Sequence, residues 1–271
     1  MTFTRIVCGI EPGGGGVGTA RRAARIAPEG TPLVLLATVD LEAAALAAQP
    51  LGGELDVSPM AVIPPAPALG PLEQVAREVL ERAREALAEV PNVTTAVAIG
   101  QLGACLQEAA GDEEAALIAL DAPDERRILG ILDGNPATWL LHEATRPVLV
   151  ARGSDDAEGF PGVVVVGVDG SPQSTAAAHV AGEVAERAGA GLRVVIASGG
   201  RGLHEEGIAA ALAGLPLHEI VEDIHHPVQA LTRAGGDLIV VGHRGLHGLR
   251  ALGSVSERVA HEAEASVLVV R

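Results

Sequence analysis

The chain of 271 residues carries 35 acidic and 19 basic side chains, which give a net charge of −16, and it contains no lysine. This balance argues against nucleic acid and anionic membrane surfaces as partners, because both are bound through clustered lysine and arginine. Hydrophobic residues make up 48% of the chain but aromatic ones only 1%, so the core has to be built from Ala, Val, Leu and Ile. The length suits one large domain or two of ordinary size.

The sequence predicts a protein that stays inside the cell. The two cysteines, Cys8 and Cys105, lie far apart in apolar contexts that are typical of buried thiols in a reducing compartment. The first residues lack a basic region followed by a long apolar stretch, and no apolar run is long enough to span a bilayer. We therefore expect a cytoplasmic protein without a membrane segment.

The two halves of the sequence resemble each other. The segment HEATRPVLVAR ends at Arg152, and its counterpart HEAEASVLVVR ends at Arg271. At the start of each half, RIVCGIEPG parallels VVVVGVDGS, and an Ala-rich helical pattern follows both. We therefore predict two units, residues 1–152 and 162–271, which are joined by a polar linker at 153–161 that contains Gly and Pro.

Strand and helix patterns alternate along both units. In unit one, strands are predicted at 5–11, 32–40, 93–99, 115–121 and 147–151, and helices at 17–27, 72–88, 104–110 and 138–144. The Pro-rich stretch 48–71 predicts a surface loop. In unit two, strands are predicted at 163–168, 192–197, 219–224, 237–242 and 267–270, and helices at 175–188, 205–212, 228–234 and 256–263.

This alternation predicts parallel sheets with right-handed crossovers. Each unit is therefore expected to be a doubly wound, Rossmann-like α/β domain. Ligands of such sheets bind beyond the carboxyl ends of the strands, near the point where the strand order reverses. The rule selects the loops after Val168, Ala197 and Val241 in unit two, and those after Ile10, Val39 and Leu120 in unit one.

A glycine-rich loop, GHRGLHGLRALGSVS from Gly242 to Ser256, follows the fourth predicted strand of unit two. A helix is predicted to begin at its end, with Ser256 as the N-cap. Backbone amides and the positive end of the helix dipole at such a junction form a cradle for phosphate, and Ser254, Arg244 and Arg250 would add donors and charge. Tight turning without a ligand would require the same glycines, so both interpretations stay open.

The loop resembles the ATP-binding signature of the universal stress protein family, in which Gly, two residues, Gly and nine further residues precede Gly-Ser or Gly-Thr. Gly242 and Gly245 match the first pair, and Gly253 and Ser254 match the pair that contacts the phosphates in the family. The segments GVDGS and GSVSERVAHEAEASVLVVR are similar to the family's first strand and loop and to its last helix and strand. The resemblance covers nearly the whole chain, with unit two as the better match.

The resemblance implies that Asp169 contacts adenosine, and that Ala197 packs on the adenine and offers it backbone hydrogen bonds. The implied ligand is an adenine nucleotide, ATP with or without Mg²⁺. The predicted nucleotide-binding residues are Asp169, Ala197, Gly242, Arg244, Gly245, Gly253, Ser254, Val255 and Ser256. No catalytic residue and no metal ligand are assigned.

The sequence departs from the family pattern in both units. In unit two, seven residues rather than nine separate Gly245 from Gly253, and a short helix replaces a long one that forms a wall of the family's cleft. In unit one, Asp121 and Asp124 replace the first glycine pair, although nine residues still precede Gly134. Carboxylates at a phosphate site repel the ligand, so unit one is expected to keep the fold and bind no ATP.

The sequence offers three competing sites, and each is less well supported than the glycine-rich loop of unit two. Gly13, Gly15 and Gly18 match a dinucleotide fingerprint, with Asp40 at the end of the next strand, but the repeat aligns them with DGSPQS, which lacks the motif. A Walker-type loop needs a lysine that the chain does not contain. His243 and His247 are four residues apart, but no carboxylate or cysteine cluster accompanies them to bind a metal.

The leading functional hypothesis is therefore an ATP-binding stress-response or signalling protein with little or no turnover. Two alternatives remain: an interaction or structural module whose sites have decayed, and a slow ATPase. The resemblance also implies that the strands at 148–151 and 267–270 pair, which would make the chain an intrachain pseudo-dimer, and a homodimer of such chains is left open.

Overall fold

Strands and helices alternate along both halves of the chain. The computed structural model describes residues 3–13, 15–39, 69–111, 115–122, 135–153, 158–199, 204–243 and 254–271. Unit one contains β1 Arg5–Gly9, α1 Val17–Ile26, β2 Leu33–Val39, α2 Leu69–Ala86, β3 Val93–Ile99, α3 Leu102–Ala110, β4 Ala116–Asp121, α4 Pro136–Glu143 and β5 Val148–Ala151. Unit two contains β6 Val163–Gly167, α5 Pro172–Ala188, β7 Gly191–Ala197, α6 Glu205–Leu212, β8 Glu219–Asp223, α7 Pro227–Arg233, β9 Leu238–Gly242, α8 Val255–Glu262 and β10 Ser266–Val270.

The strands of the described residues form one sheet in the order β3-β2-β1-β4-β5-β10-β9-β6-β7-β8. Neighbouring strands within each unit are parallel, and each unit has the doubly wound order 3-2-1-4-5. The predicted fold class, two tandem doubly wound α/β units, is therefore confirmed. The switch point of unit two lies between β6 and β9, because the chain leaves β6 towards β7 on one side and returns to β9 on the other.

The units join through the antiparallel pair β5 and β10, which are the strands that the family resemblance pairs. Leu149 lies opposite Leu268, and these leucines occupy the same position in the two repeats. Every residue of both strands is buried. Each face of the sheet carries one hydrophobic cluster, and both clusters contain residues of unit one and unit two. The first is covered by α1, α2, α5 and α6, and the second by α3, α4, α7 and α8.

Two arginines connect the units at the ends of the paired strands. Arg152, which follows β5, donates from Nη2 to two carbonyl oxygens in the last turn of α8, at 2.7 and 3.2 Å. Arg271, which follows β10, donates from Nη2 to the carbonyl oxygens of Leu140 and Leu141 in α4, both at 2.9 Å. The carbonyls at a helix C-terminus lack partners within the helix, so a cation is favourable there. Burial lowers the pKa of Arg271 to about 10, and its guanidinium stays charged at neutral pH.

A third polar contact between the units joins two helices. Nε2 of His142 in α4 lies 2.9 Å from Oε1 of Glu257 in α8, and the two side chains are 17% and 11% exposed. On the opposite face, Arg187 in α5 donates to the carbonyl oxygen of Ile26 in α1 at 2.7 Å. Polar contacts therefore join the units on both faces of the sheet.

Element boundaries differ from the predicted ones by a few residues. Helix α5 begins at Pro172 rather than at 175, because the Ser171 hydroxyl accepts a hydrogen bond from the amide of Ser174 and proline suits the first helical position. Helix α2 begins at Leu69, within the predicted loop 48–71, and the part of that prediction up to residue 68 lies outside the described residues. In the described part of the chain, no helix has the length and apolar character needed to cross a membrane.

Replacing Arg271 by Met should lower the free energy of unfolding by about 1.5–3 kcal/mol, because the substitution removes charged hydrogen bonds to two buried carbonyl oxygens. Urea denaturation of the whole chain measures the change. Arg258→Met is the control, since Arg258 forms an exposed pair with Glu262 in the same helix and should cost less than about 0.5 kcal/mol. Equal losses in the two variants would contradict the role of Arg271 at the interface.

His261, in the last turn of α8, should make stability depend on pH. Burial lowers its pKa from the ordinary 6.5, opposed by the charge of Glu257 and assisted by those of Arg152 and His142. The unfolded chain therefore binds the proton more readily, and stability should fall as the pH drops through about 6.5. Because His261 is itself solvent-exposed, screening weakens the effect, and we expect His261→Gln to remove less than about 1 kcal/mol of this dependence. Urea titrations at pH 5.5 and 7.5 test it, and exposed His179→Gln should leave the dependence unchanged.

Candidate functional site

Three of the predicted site residues lie at one edge of the sheet in unit two. Asp169 follows β6, Ala197 ends β7, and Gly242 ends β9. The strands are parallel and adjacent in the order β9-β6-β7, so their carboxyl ends meet beside the switch point. The predicted residues Arg244, Gly245 and Gly253 lie outside the described residues.

The loop after β6 holds Asp169 in a fixed orientation. Its Oδ1 accepts hydrogen bonds from the Ser171 amide at 2.9 Å and from the Ser171 hydroxyl at 2.6 Å. The Ser171 hydroxyl in turn accepts a bond from the amide of Ser174, which closes the first turn of α5. Asp169 is only half-buried. A half-buried carboxylate fixed at the switch point suits the hydroxyl groups of a sugar, which donate hydrogen bonds to such oxygens.

Helix α6 begins directly against this loop. The amide of His204 donates to the carbonyl oxygen of Asp169 at 2.8 Å. Gly170 has φ of +81°, and a Cβ there would overlap the carbonyl oxygen of His204. A Cβ at Gly207 would likewise overlap the carbonyl oxygen of Gly170. The short helix α6 therefore borders the predicted site. The sequence, by contrast, predicts that the wall of the cleft formed by this helix is missing in unit two.

Gly242 permits a close contact between β9 and the first turn of α5. A Cβ at this position would overlap the carbonyl oxygen of Gln173. The contact brings the end of β9 next to the helix that Ser171 caps. Packing alone thus requires glycine at 242, whether or not a ligand approaches its backbone.

Helix α8 begins at Val255, and its N-cap is Ser254. The Ser254 hydroxyl accepts a hydrogen bond from the Glu257 amide at 3.3 Å, which is the first half of a capping box. The prediction that Ser256 is the N-cap is wrong, because Ser256 is buried and its Oγ lies 3.1 Å from Nδ1 of His243. Ser256 Oγ is also 3.3 Å from Ser254 Oγ, so the two hydroxyls lie together at the helix start.

The start of α8 has the chemistry of an anion site. The amides of Val255 and Ser256 are the first of the helix and have no carbonyl acceptor within it. The positive end of the helix dipole reinforces them, and the two serine hydroxyls can also donate. Val255 is 37% exposed, whereas Ser256 is buried. Among the described residues, no group of three His, Cys, Asp or Glu side chains could hold a metal ion.

Comparison with known sequences identifies the family. The family model for the universal stress protein family matches residues 2–152 and 225–271. The chain belongs to the universal stress protein family. The match covers the whole of unit one but only the last part of unit two, although unit two carries the glycine-rich loop.

Two mycobacterial universal stress proteins are similar to part of the chain. The protein of Mycolicibacterium smegmatis is 36% identical over 166 residues, which is 52% of this chain and 56% of that protein. Universal stress protein Rv2005c of Mycobacterium tuberculosis is 32% identical over 187 residues, which is 58% of this chain and 62% of that protein. The chain thus spans less than two thirds of the length of either relative.

A solved structure has the same fold over nearly the full chain. The universal stress protein from Archaeoglobus fulgidus DSM 4304 covers 99% of this chain and 97% of its own, with a TM-score of 0.66 and 18% identity. At this identity the likeness concerns the fold alone. It extends over both units.

In unit one, the chain's own carboxylate lies where unit two has Gly242. Asp121 pairs with Ala151 at the end of β4, as Gly242 pairs with Val270 at the end of β9. Its Oδ1 accepts a hydrogen bond from the hydroxyl of Thr19, in the first turn of α1. The start of α1 therefore has a carboxylate of the chain beside it. Residues 123–134 of this unit, which include Asp124, lie outside the described residues.

Several residues of the site are not among those that the sequence predicts. Ser171 could have been recognised, because Ser-Pro followed by Ser is a common helix start. His204 and Gln173 carry no such signal, since their contacts are made by main-chain atoms of distant segments. His243 drew attention only as a metal ligand, whereas the structure pairs it with Ser256.

Gly242→Ala should destabilise the chain in the absence of any ligand by about 1–3 kcal/mol, because the added methyl group meets a main-chain oxygen that cannot move aside freely. Chemical denaturation measures the loss. Gly13→Ala is the matched control, since a Cβ at Gly13 has no atom within 4 Å and the change should be neutral or slightly stabilising. A neutral result for Gly242→Ala would show that the β9–α5 contact is looser than the structure has it.

Proposed function

We propose that this universal stress protein binds an adenine nucleotide, ATP with or without Mg²⁺, in its second unit. The observation that carries the proposal is the start of α8, where Ser254 caps the helix beside the switch point. The amides of Val255 and Ser256 and two hydroxyls lie together there. Ser256 contacts His243, which follows β9, and β9 is the neighbour of the strand that Asp169 follows. Uncharged donors at a helix start suit the phosphates of a nucleotide.

Each site residue then has a distinct role. Asp169 accepts hydrogen bonds from the ribose hydroxyls, and Ala197 contacts the adenine at the end of β7. The phosphates are bound by the loop of Gly242, Arg244, Gly245 and Gly253 and by the helix start at Ser254, Val255 and Ser256. We assign no residue to Mg²⁺, which nucleotides bring with their own phosphate ligands.

The proposal extends to the organisation of the whole chain. Residues 1–152 form a degenerate unit that binds no nucleotide, residues 153–161 form the linker, and residues 162–271 form the binding unit. The pairing of β5 with β10 supports an intrachain pseudo-dimer, and we propose a cytoplasmic role in the stress response with little or no turnover. A homodimer of such chains would be detected by measuring the molecular mass of the protein in solution.

A second candidate is an interaction module that binds no nucleotide. It is favoured by the two internal hydrogen bonds on Asp169 Oδ1, which already satisfy part of the carboxylate. The shortened spacing between Gly245 and Gly253 also favours it. A slow ATPase is the third candidate function, and ADP that accumulates with the purified protein would reveal it.

Isothermal titration calorimetry with ATP, with and without Mg²⁺, tests the proposal. We expect the wild-type chain to bind one nucleotide, and ATP at a hundred times Kd to stabilise it by about 2.7 kcal/mol. Gly253→Asp should abolish both effects, since a carboxylate next to Ser254 repels phosphate. The control is Gly134→Asp, which places the same charge at the equivalent position of unit one and should leave ATP binding unchanged.

Each alternative predicts a different result in these titrations. Absence of binding to any nucleotide would refute the proposal in favour of the interaction module. Equal loss of binding in Gly134→Asp and Gly253→Asp would show that the site does not belong to unit two alone. Steady release of phosphate from ATP would establish turnover.

A further inference from the structure

The outer strand of unit one, β3, presents an uncharged edge. It is the first strand of the sheet and pairs with β2, and within the described ranges no strand lies on its other side. Its sequence, VTTAVAI, contains neither a charged residue nor a proline. Natural proteins commonly use charges and proline to keep an exposed strand edge from pairing with other chains. The sequence of β3 provides neither form of protection.

The hydrogen bonds between β3 and β2 show which main-chain groups of β3 point outward. The Leu33 amide donates to the carbonyl oxygen of Asn92, and the Gly100 amide donates to that of Val39, both at 3.1 Å. In a strand of a parallel pair, the N–H and C=O groups of every second residue point to the same side. The even-numbered residues of β3 therefore face β2. The main-chain groups that point away from the sheet are those of Val93, Thr95, Val97 and Ile99.

Exposed apolar side chains lie at the same border of unit one. Leu72 and Val75 on α2 are 38% and 52% exposed, and Ile99 at the end of β3 is 50% exposed. Helix α2 packs against β2 and β3 and connects these two parallel strands, so it runs antiparallel to them. Its first turns therefore lie at the end of the sheet where β3 ends. Apolar side chains that share a border with outward-facing main-chain groups indicate a protein–protein interface.

The opposite border of the sheet, β8, differs in its charge. Three of the five residues of β8 are acidic: Glu219, Glu222 and Asp223. In a two-fold antiparallel pair each strand lies against its own copy, so an acidic strand would repel itself. The net charge of −16 makes two copies of the chain repel each other generally. An uncharged strand such as β3 avoids that repulsion where the two copies touch.

We propose that two copies of the chain associate through antiparallel pairing of β3 with β3. The two sheets then become one continuous sheet, and the α2 helices lie side by side on the same face. This arrangement covers Leu72, Val75 and Ile99 of both copies. The chain already joins its own units in this way, since β5 and β10 are equivalent strands that pair antiparallel.

The interface gives unit one a role in assembly. It lies on the side of unit one that is far from unit two, because β3 and β5 are the two ends of the unit-one part of the sheet. It contains none of the proposed nucleotide-binding residues. The inference therefore does not depend on the proposed function, and its test uses no nucleotide.

The test measures the molecular mass of the full chain in solution over a range of concentrations, by sedimentation velocity. We expect the wild type to form a dimer with a Kd in the micromolar range. Thr95→Pro removes an outward-facing N–H, and proline is tolerated at such a position of an edge strand. The Kd should rise by about thirtyfold, because each dimer loses two hydrogen bonds.

Ile220→Pro on β8 is the matched control. The Ser198 amide donates to the carbonyl oxygen of Asp223, so by the same alternation the main chain of Ile220 faces away from β7. This variant introduces the same change at the other border of the sheet and should leave the Kd of the dimer unchanged. Urea denaturation confirms that both proline variants are folded.

A pair of charged variants tests the proposal without proline. Thr95 is exposed, so glutamate or arginine is accommodated there in the monomer. Thr95→Glu and Thr95→Arg should each raise the Kd by about tenfold, because like charges then lie in one short strand pair. An equimolar mixture should form mixed dimers with at least the wild-type affinity. Native mass spectrometry distinguishes them from dimers of either variant alone.

Each outcome supports or overturns the proposal. A wild type that stays monomeric at every concentration refutes it and leaves the β3 edge to a different protein. A dimer that resists Thr95→Pro and both charged variants, or that Ile220→Pro weakens equally, forms through another surface and refutes it too. If each charged variant is monomeric and the mixture is also monomeric, β3 does not face β3, and the proposal is wrong.

Discussion

The antiparallel pairing of β5 with β10 is the constraint on which the rest of the structure depends. Equivalent strands of the two repeats lie side by side, so that Leu149 meets Leu268 and both strands are buried completely. Each strand is the last of its unit, and their pairing merges two five-stranded sheets and two pairs of hydrophobic layers. Either unit alone would expose an apolar strand edge, which invites pairing with other chains.

The two interface arginines lie beside the carbonyl ends of helices, where a positive charge is favourable. Arg152 and Arg271 close the repeated segments, and each donates to the last carbonyls of a helix in the other unit. The arginine that follows the last strand of each repeat therefore makes an equivalent contact across the interface, once in each direction. His142 and Glu257 break that symmetry, because the position of Glu257 in unit two corresponds to Thr138 in unit one.

The two units differ at the equivalent ends of β4 and β9. In unit one, Asp121 ends β4, and its carboxylate accepts a hydrogen bond from Thr19 in the first turn of α1. In unit two, Gly242 replaces that carboxylate, and the start of α8 is lined by serine hydroxyls and amides. A fold common to both units thus accommodates a carboxylate at the end of β4 and a glycine at the equivalent end of β9.

Sequence alone determined the elements and the repeat, because hydrophobic periodicity and a duplicated segment are local properties. It also placed Asp169, Ala197 and Gly242 at one sheet edge, since parallel strands end together. Tertiary structure decided the rest: the contact of His204 with the Asp169 loop, the packing that requires glycine at 242, and the pairing of His142 with Glu257 over 115 residues. These contacts depend on strand order and helix position, which no local pattern encodes.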